Sequence, residues 1–230
     1  MTKNLVTSAV FAGVAAGLIA AALQFMFVIP MLLEGELFET GARVHFVPEN
    51  AGGPQSEKGA PGLGGEFGRH AMTVGFNMVT YVGYGLILLA LMSLAQRSGV
   101  NKITARGGMI WGLAGFIAVQ MAPALGLPPE LPGTPAAEIG PRQAWWFMTI
   151  IATAVGLGVI AFSRGLLPLV GAALILAPHV IGAPHLDTYW GVSPPELSAH
   201  FVSVSLGAAA AGWTLLGFFC GFFWERGQDA

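Results

Sequence analysis

Long apolar stretches separated by short polar segments dominate this chain. Six stretches contain no Asp, Glu, Lys or Arg and are each at least 21 residues long: Asn4–Leu33, Ala71–Gln96, Gly107–Pro129, Gln143–Ser163, Gly165–Leu186 and Leu197–Trp224. About 20 apolar residues suffice for a helix to cross a membrane. The fifth stretch contains Pro168 and Pro178, which interrupt a helix. The pattern predicts an all-α integral membrane protein with about six transmembrane helices, or five if the fifth stretch does not cross.

The composition supports this interpretation. The chain is 54% apolar and 10% charged, whereas soluble proteins carry roughly 25% charged residues. A net charge of −2 with ten basic residues argues against nucleic-acid binding. The single cysteine, Cys220, excludes an intrachain disulfide and a thiolate zinc cluster. No phosphate-binding loop, CxxC or HExxH motif occurs, so no enzyme activity is expected.

Charge placement predicts the orientation in the membrane. If the N-terminus is cytoplasmic and six helices cross, the inner segments hold six basic and two acidic residues, and the outer segments hold four basic and ten acidic ones. Basic residues favour the cytoplasmic side, and the segment Arg97–Arg106 carries three of them without an acid. Both termini are therefore expected in the cytoplasm.

The chain is expected to be one membrane domain, residues 1–230, with a long extracytoplasmic loop at residues 34–69. The middle of this loop, residues 50–65, is rich in Gly and Pro and has no aromatic residue. Such a composition buries little apolar surface, so this part is predicted to be flexible.

A weak internal repeat suggests three helical hairpins. Pro30, Pro123 and Pro178 each lie near the outer end of an odd-numbered span and precede an acid by at most nine residues. Proline frees backbone carbonyls, which in a membrane must be buried in protein or line a polar cavity. The alternative is that these prolines only end helices. A few polar side chains lie inside the spans: Gln24, Asn77, Tyr81 and Gln120. Gln24 and Gln120, shortly before Pro30 and Pro123, are candidates to bond across helices or to line a path.

Small residues and ligand-type residues add two further expectations. Glycine pairs spaced four residues apart predict close helix packing: Gly13 with Gly17, Gly108 with Gly112, and Gly217 with Gly221. All five histidines and ten of the twelve acids fall at the outer side. Imidazole and carboxylate groups suit divalent transition metals, although the positive-inside rule alone would also place acids there. The expected metal-binding set is Glu34, Glu36, His70, Glu130, His179, His185 and His200.

Several segments resemble the CbtA family of predicted cobalt transporter subunits. They are Ala122–Gly133, Arg142–Trp146, Pro178–His185, Trp111–Phe116 and the first helix with Pro30 and Glu34–Glu36. The resemblance covers essentially the whole chain. It implies a multi-pass protein of the bacterial inner membrane that takes up cobalt with CbtB, a small single-helix partner with histidine ligands.

One departure from the family pattern concerns the first outer loop. Many members carry a histidine-rich segment there, whereas this chain reads Pro54–Gly59 and keeps only His45 in the loop proper. The sequence and the resemblance thus predict a protein for uptake of a divalent metal. The expected cargo is Co²⁺, with Ni²⁺ and Zn²⁺ as alternatives, and no tightly bound cofactor is expected. The alternative is a non-transporting accessory subunit of a larger membrane complex.

Overall fold

The computed structural model describes residues 2–45, 56–64 and 66–228. Its helices are α1 (Lys3–Glu39), α2 (Phe67–Arg97), α3 (Ala105–Ala124), α4 (Ile139–Phe162), α5 (Leu167–Ile181) and α6 (Pro195–Arg226). The described residues form no strand. All helices except α5 are long and apolar enough to cross a membrane, which confirms an all-α membrane protein and leaves the predicted fifth span as a shorter apolar helix.

Both chain termini lie at one end of the bundle. The Asn4 side chain donates to the Trp224 carbonyl oxygen at 3.5 Å, and the Glu225 carboxylate accepts from the Ala105 backbone N–H at 2.9 Å. We call this the terminal end. The opposite end, which holds Glu36 and Glu130, is called the acidic end. Since α1 leaves the terminal end and α6 returns to it, the chain passes along the bundle an even number of times.

Four helices form the centre of the bundle. Helix α1 packs along both α2 and α6, and α6 packs along α3, whereas α2 and α3 contact each other only briefly. Helices α4 and α5 pair as an antiparallel hairpin, and α4 joins this hairpin to α3. Only one charged residue, Arg164, separates the two apolar stretches, and such a short connection is typical of a tight hairpin.

Of the three hairpins expected from the sequence repeat, only the first, α1 with α2, is a main helix pairing. Helices α5 and α6 make no mutual contact in the described part of the chain, and α3 packs mainly on α6 rather than on α4. The physical reason is the distribution of small residues. A methyl group on Gly108 or Gly112 would overlap the backbone of α6, and one on Gly217 would overlap the Gly108 carbonyl. Glycine permits this close α3–α6 approach, which fixes the pairing.

The same effect joins α1 to α2. A Cβ added to Gly17 would lie 2.7 Å from the Met78 Cα, and one on Gly13 would overlap Val82. The close packing predicted from the glycine spacings is therefore confirmed. Between these contacts and the chain termini the bundle interior is filled by buried apolar side chains, including Leu89, Met92, Leu216 and Cys220. The terminal half of the bundle is closed.

Helices α1 and α3 each contain one π-helical segment before a proline. These segments are Gln24–Val28, two residues before Pro30, and Ile117–Met121, two residues before Pro123. A proline cannot donate a backbone hydrogen bond, so the preceding turn is free to widen. Single π-helical turns of this kind are frequent at functional sites.

Candidate functional site

A cavity of about 430 Å³ lies between the central helices, on the acidic side of the closed half. Helices α1, α2, α3 and α6 and the loop after α3 contribute its walls. The lining residues are Ala20, Gln24, Val28, Phe76, Asn77, Thr80, Tyr81, Tyr84, Gln120, Pro129, Ser205, Ala208 and Ala209. The four polar residues singled out inside the predicted spans, Gln24, Asn77, Tyr81 and Gln120, are all among them.

A pair of amide side chains forms one wall. The Gln24 Nε2 donates to the Asn77 Oδ1 at 3.2 Å, and the Asn77 Nδ2 donates to the Gln24 Oε1 at 3.0 Å. The Asn77 Nδ2 also donates to the Thr73 carbonyl oxygen at 2.9 Å. Both side chains are thereby fixed, and the predicted bond between polar residues of different helices is confirmed for this pair. Each amide oxygen keeps a second lone pair for another donor.

Two other polar groups of the lining have no protein partner. The Gln120 side chain makes no hydrogen bond to any described residue, and the buried Ser205 hydroxyl also lacks one there. An unsatisfied polar group in a membrane interior costs free energy. These groups therefore favour a polar occupant of the cavity, such as water or a hydrated solute.

Both glutamines of the lining lie within π-helical segments. Gln24 is the first residue of the segment in α1, and Gln120 is the fourth of the segment in α3. Both altered turns lie beside the cavity.

Tyrosine rings form the floor of the cavity. Tyr84 stacks on Trp213 with ring centroids 4.5 Å apart, and the Tyr81 ring meets Tyr84 edge-on at 6.1 Å. The Tyr81 hydroxyl lies against Gly212, where no side chain larger than glycine would fit. From Val28 to Ala20 the lining follows α1 for about 12 Å. The cavity thus ends above the closed terminal half, and Phe76 and Thr80 are exposed on the side where α2 and α3 diverge.

At the acidic end, three of the predicted site carboxylates pair with arginines. Glu34 lies 3.3 Å from Arg43 and accepts from the Gly59 backbone N–H at 2.8 Å. Arg43 also donates to the Gly59 carbonyl oxygen at 2.9 Å, so the described loop residues 56–64 are fastened to the end of α1. The other residues of the predicted flexible stretch, 50–55 and 65, lie outside the described residues.

The other two carboxylate pairs join helix ends. Glu36 of α1 forms a two-point ion pair with Arg69 of α2. Glu130, in the loop after α3, accepts from the Arg142 Nη2 at 2.7 Å and so contacts the first turn of α4. These arginine partners could not be predicted from the sequence, because each pair joins segments whose proximity depends on the tertiary fold.

The four predicted histidines have different surroundings. His70, in the first turn of α2, forms a hydrogen bond to the Leu63 carbonyl oxygen at 2.9 Å and packs edge-on against Phe25. His185 and His200 are exposed. His179 is half-buried against Trp145, and its Nε2 has no partner among the described residues. The indole N–H of Trp145 instead donates to the Pro178 carbonyl oxygen at 2.9 Å.

The expected metal-binding residues therefore share one end of the bundle without forming one cluster. Within the described residues, no group of three or more His, Cys, Asp or Glu side chains is placed to hold a metal ion. The acidic end offers single groups or pairs. The polar side chains that do converge are the uncharged ones of the cavity.

A comparison with known protein families identifies the family of this chain. The family model described as "Probable cobalt transporter subunit (CbtA)" matches residues 2–225. The chain belongs to the CbtA family. Neither the curated proteins nor the solved structures include a match to this CbtA chain.

Family membership agrees with the observed membrane architecture. The match extends over all six helices, so the cavity and the acidic end both belong to the CbtA region of the chain. The family description names one subunit of a transporter, which implies partner subunits. Two lining residues of this CbtA chain, Tyr84 and Ser205, were not identified from the sequence, because tyrosine and serine are common in packed membrane helices.

Proposed function

We propose that this protein is the membrane subunit through which a divalent metal, cobalt in the first instance, enters the cell. The observation that supports the proposal most directly is a cavity lined by Gln24, Asn77 and Gln120 within an apolar bundle of the CbtA family. Polar groups at membrane depth are costly, and they commonly mark solute pathways.

The acidic end is proposed to face the periplasm. Basic residues collect at the opposite end, where Arg97, Lys102 and Arg106 flank the turn between α2 and α3. Since basic loops remain in the cytoplasm, both termini are proposed to lie in the cytoplasm. The protein itself is proposed to span the inner membrane of a bacterium. The cavity then lies on the periplasmic side of the closed half.

The residues of the acidic end are proposed to attract the ion and bind it briefly in succession. Exposed carboxylates raise the local concentration of cations, and imidazoles supply transient ligands. The proposed contacts are Glu34, Glu36, His70, Glu130, His179, His185 and His200. Their separation suits transport, because an ion that is to be released must not be held by many ligands at once.

A small single-span partner of the CbtB type is proposed to complete the pathway. The first outer loop of this chain is poor in histidine, so a partner that carries histidine ligands would supply the missing capture step. The ion pairs of Glu34 and Glu36 also reduce the number of free carboxylates in this protein.

Radiocobalt uptake tests the proposal. Cells without other cobalt importers would express this protein alone and together with its partner, in wild-type form and as the double variant His179→Ala/His185→Ala. We expect uptake that the double variant largely abolishes. His45→Ala, outside the proposed set, serves as a histidine control. Normal uptake in the double variant would remove these two residues from the pathway, and absent uptake in every setting would remove transport.

A second candidate is a non-transporting component of a larger membrane complex. The three acid–arginine pairs favour it, since they use carboxylates to fasten the acidic end. Gentle purification distinguishes the two functions. A stable assembly with large unrelated subunits and no cobalt uptake would support the accessory role.

A further inference from the structure

The chemistry of the cavity lining constrains the state in which a metal ion can occupy it. Amide, hydroxyl and phenol groups supply all its polar side chains, and none of its lining residues is charged or a histidine. First-row transition metals stripped of water are usually held by imidazole, thiolate or carboxylate ligands. The described lining contains none of these groups.

A bare divalent ion would therefore be poorly compensated in this cavity. Removing an ion from water costs far more than neutral dipoles regain unless ligands replace its hydration shell. An ion that keeps its own water ligands avoids most of this cost. The charge of the ion is then partly carried by the hydrogens of its bound waters. These hydrogens are hydrogen-bond donors and require acceptor atoms in the cavity wall.

The cavity has the volume and the acceptors for such a complex. One water occupies about 30 Å³ in the liquid, so six waters need about 180 Å³, against about 430 Å³ available. Gln24 and Asn77 each keep one amide lone pair after their mutual hydrogen bonds. Gln120 and the exposed Thr80 hydroxyl have no hydrogen-bond partner among the described residues and add further acceptor oxygens.

We propose that the cavity binds a divalent cation with its water shell intact, through hydrogen bonds from the bound waters to Gln24, Thr80 and Gln120. The inference rests on the proposed transport function and specifies the chemical form of its substrate. Exchange of the ion's water ligands is then confined to the acidic end and to the partner. The cavity recognises the size of the hydrated ion and the arrangement of its hydrogen-bond donors.

Hexaamminecobalt(III) is a suitable probe because its six ammonia ligands exchange extremely slowly and present N–H donors in an octahedral arrangement. Binding would be measured by calorimetry on purified protein in phosphatidylcholine nanodiscs, whose headgroups carry no net charge, in 0.15 M NaCl. The variants are Gln120→Leu and Thr80→Val, each of which removes one acceptor without breaking a described hydrogen bond. Gln143→Leu, an exposed glutamine of α4, is the matched control.

The expected result is saturable binding that weakens at least fivefold in Gln120→Leu and in Thr80→Val and is unchanged in Gln143→Leu. Binding of Co²⁺ without binding of the ammine complex would overturn the inference, because the metal would then need direct ligands. Ammine binding that both cavity variants leave unchanged would overturn it as well.

Radiocobalt uptake by the same variants separates this inference from the proposed function. Uptake that persists without ammine binding refutes the hydrated form and leaves transport standing. Cavity-dependent ammine binding without uptake, even with the partner present, refutes transport and leaves the cavity as a site for hydrated cations.

Discussion

Gln24 and Asn77 are joined side chain to side chain across α1 and α2 by two reciprocal hydrogen bonds of 3.2 and 3.0 Å. The pair lies next to the Gly17–Met78 contact, where the two helix backbones come close together. The amides therefore have two roles, since they hold α1 against α2 and also form a polar wall of the cavity.

Replacing one member of this pair should weaken the α1–α2 contact. Hydrogen bonds between membrane helices contribute about 0.6 kcal/mol on average and up to about 1.7 kcal/mol. We expect Gln24→Leu and Asn77→Leu each to lower the free energy of unfolding by about 1 kcal/mol. The double variant should lose clearly less than the sum of the two single losses. Reversible unfolding in mixed micelles, followed by circular dichroism, measures these values, and strictly additive losses would contradict a direct pair.

Two glycines on α6 provide a matched test of backbone packing. Gly217 lies against the Gly108 carbonyl, whereas Gly207 has nothing within 4 Å of the position that a Cβ would take. We expect Gly217→Ala to destabilise the protein by about 1–3 kcal/mol, as overpacking does. Gly207→Ala should be neutral or stabilising by up to about 1 kcal/mol, because alanine is the better helix former. Equal effects of the two substitutions in an unfolding titration would argue against the α3–α6 interface.

Trp145 should stabilise the junction of the α4–α5 hairpin. Its indole N–H donates to the Pro178 carbonyl, and its ring covers Gly126 in the loop after α3. We expect Trp145→Phe to cost about 1 kcal/mol for the lost hydrogen bond, plus a contribution from packing. The neighbouring Trp146 is only half-buried, and its indole donates no hydrogen bond to the described residues, so Trp146→Phe is the control.

Thermal unfolding of the two tryptophan variants provides the measurement. For a protein of this size a loss of 1 kcal/mol lowers Tm by roughly 2–4 °C. Equal Tm values for the two variants would show that the Trp145–Pro178 contact does not stabilise the junction.

Charge at the acidic end should affect the rate of cobalt uptake in a salt-dependent way. Glu39 and Asp187 are exposed and belong to none of the three acid–arginine pairs. We expect Glu39→Gln/Asp187→Asn to reduce initial uptake severalfold at 0.01 M salt, where the Debye length is about 30 Å. The difference from wild type should shrink above 0.15 M, where that length is about 8 Å. A deficit of the same size at all salt concentrations would indicate direct metal binding by one of these residues instead.

Much of the fold could be predicted from the sequence because the membrane imposes a simple constraint. Each of the six charge-free stretches overlaps a helix. Some helices continue beyond their stretch where charged side chains can reach the membrane surface, as at Glu34–Glu39. Helix pairing followed the glycine spacings, and it agreed with the proline repeat only for α1 and α2. Backbone contact requires a small residue at the contact itself, whereas a proline near a helix end specifies no neighbour.

The candidate site was only partly predictable. Gln24, Asn77 and Gln120 stood out because amides are rare in apolar stretches, and they do line the cavity. The pairing of Glu34, Glu36 and Glu130 with arginines was missed, because the sequence around a glutamate does not indicate whether its carboxylate forms an ion pair. The π-helical turns were missed as well, since their positions depend on how α1 and α3 accommodate prolines within a packed bundle.

Helix α5 has a consequence for the surrounding lipid. Its 15 residues span about 22 Å, while the hydrocarbon layer is about 30 Å thick. Where such a short helix crosses, the mismatch is relieved by local thinning of the bilayer or by snorkelling of flanking residues, at a fraction of a kcal/mol per ångström. Lipids with short acyl chains should therefore accumulate beside the α4–α5 hairpin, and membranes of different thickness should hold His179 at different depths relative to the water interface.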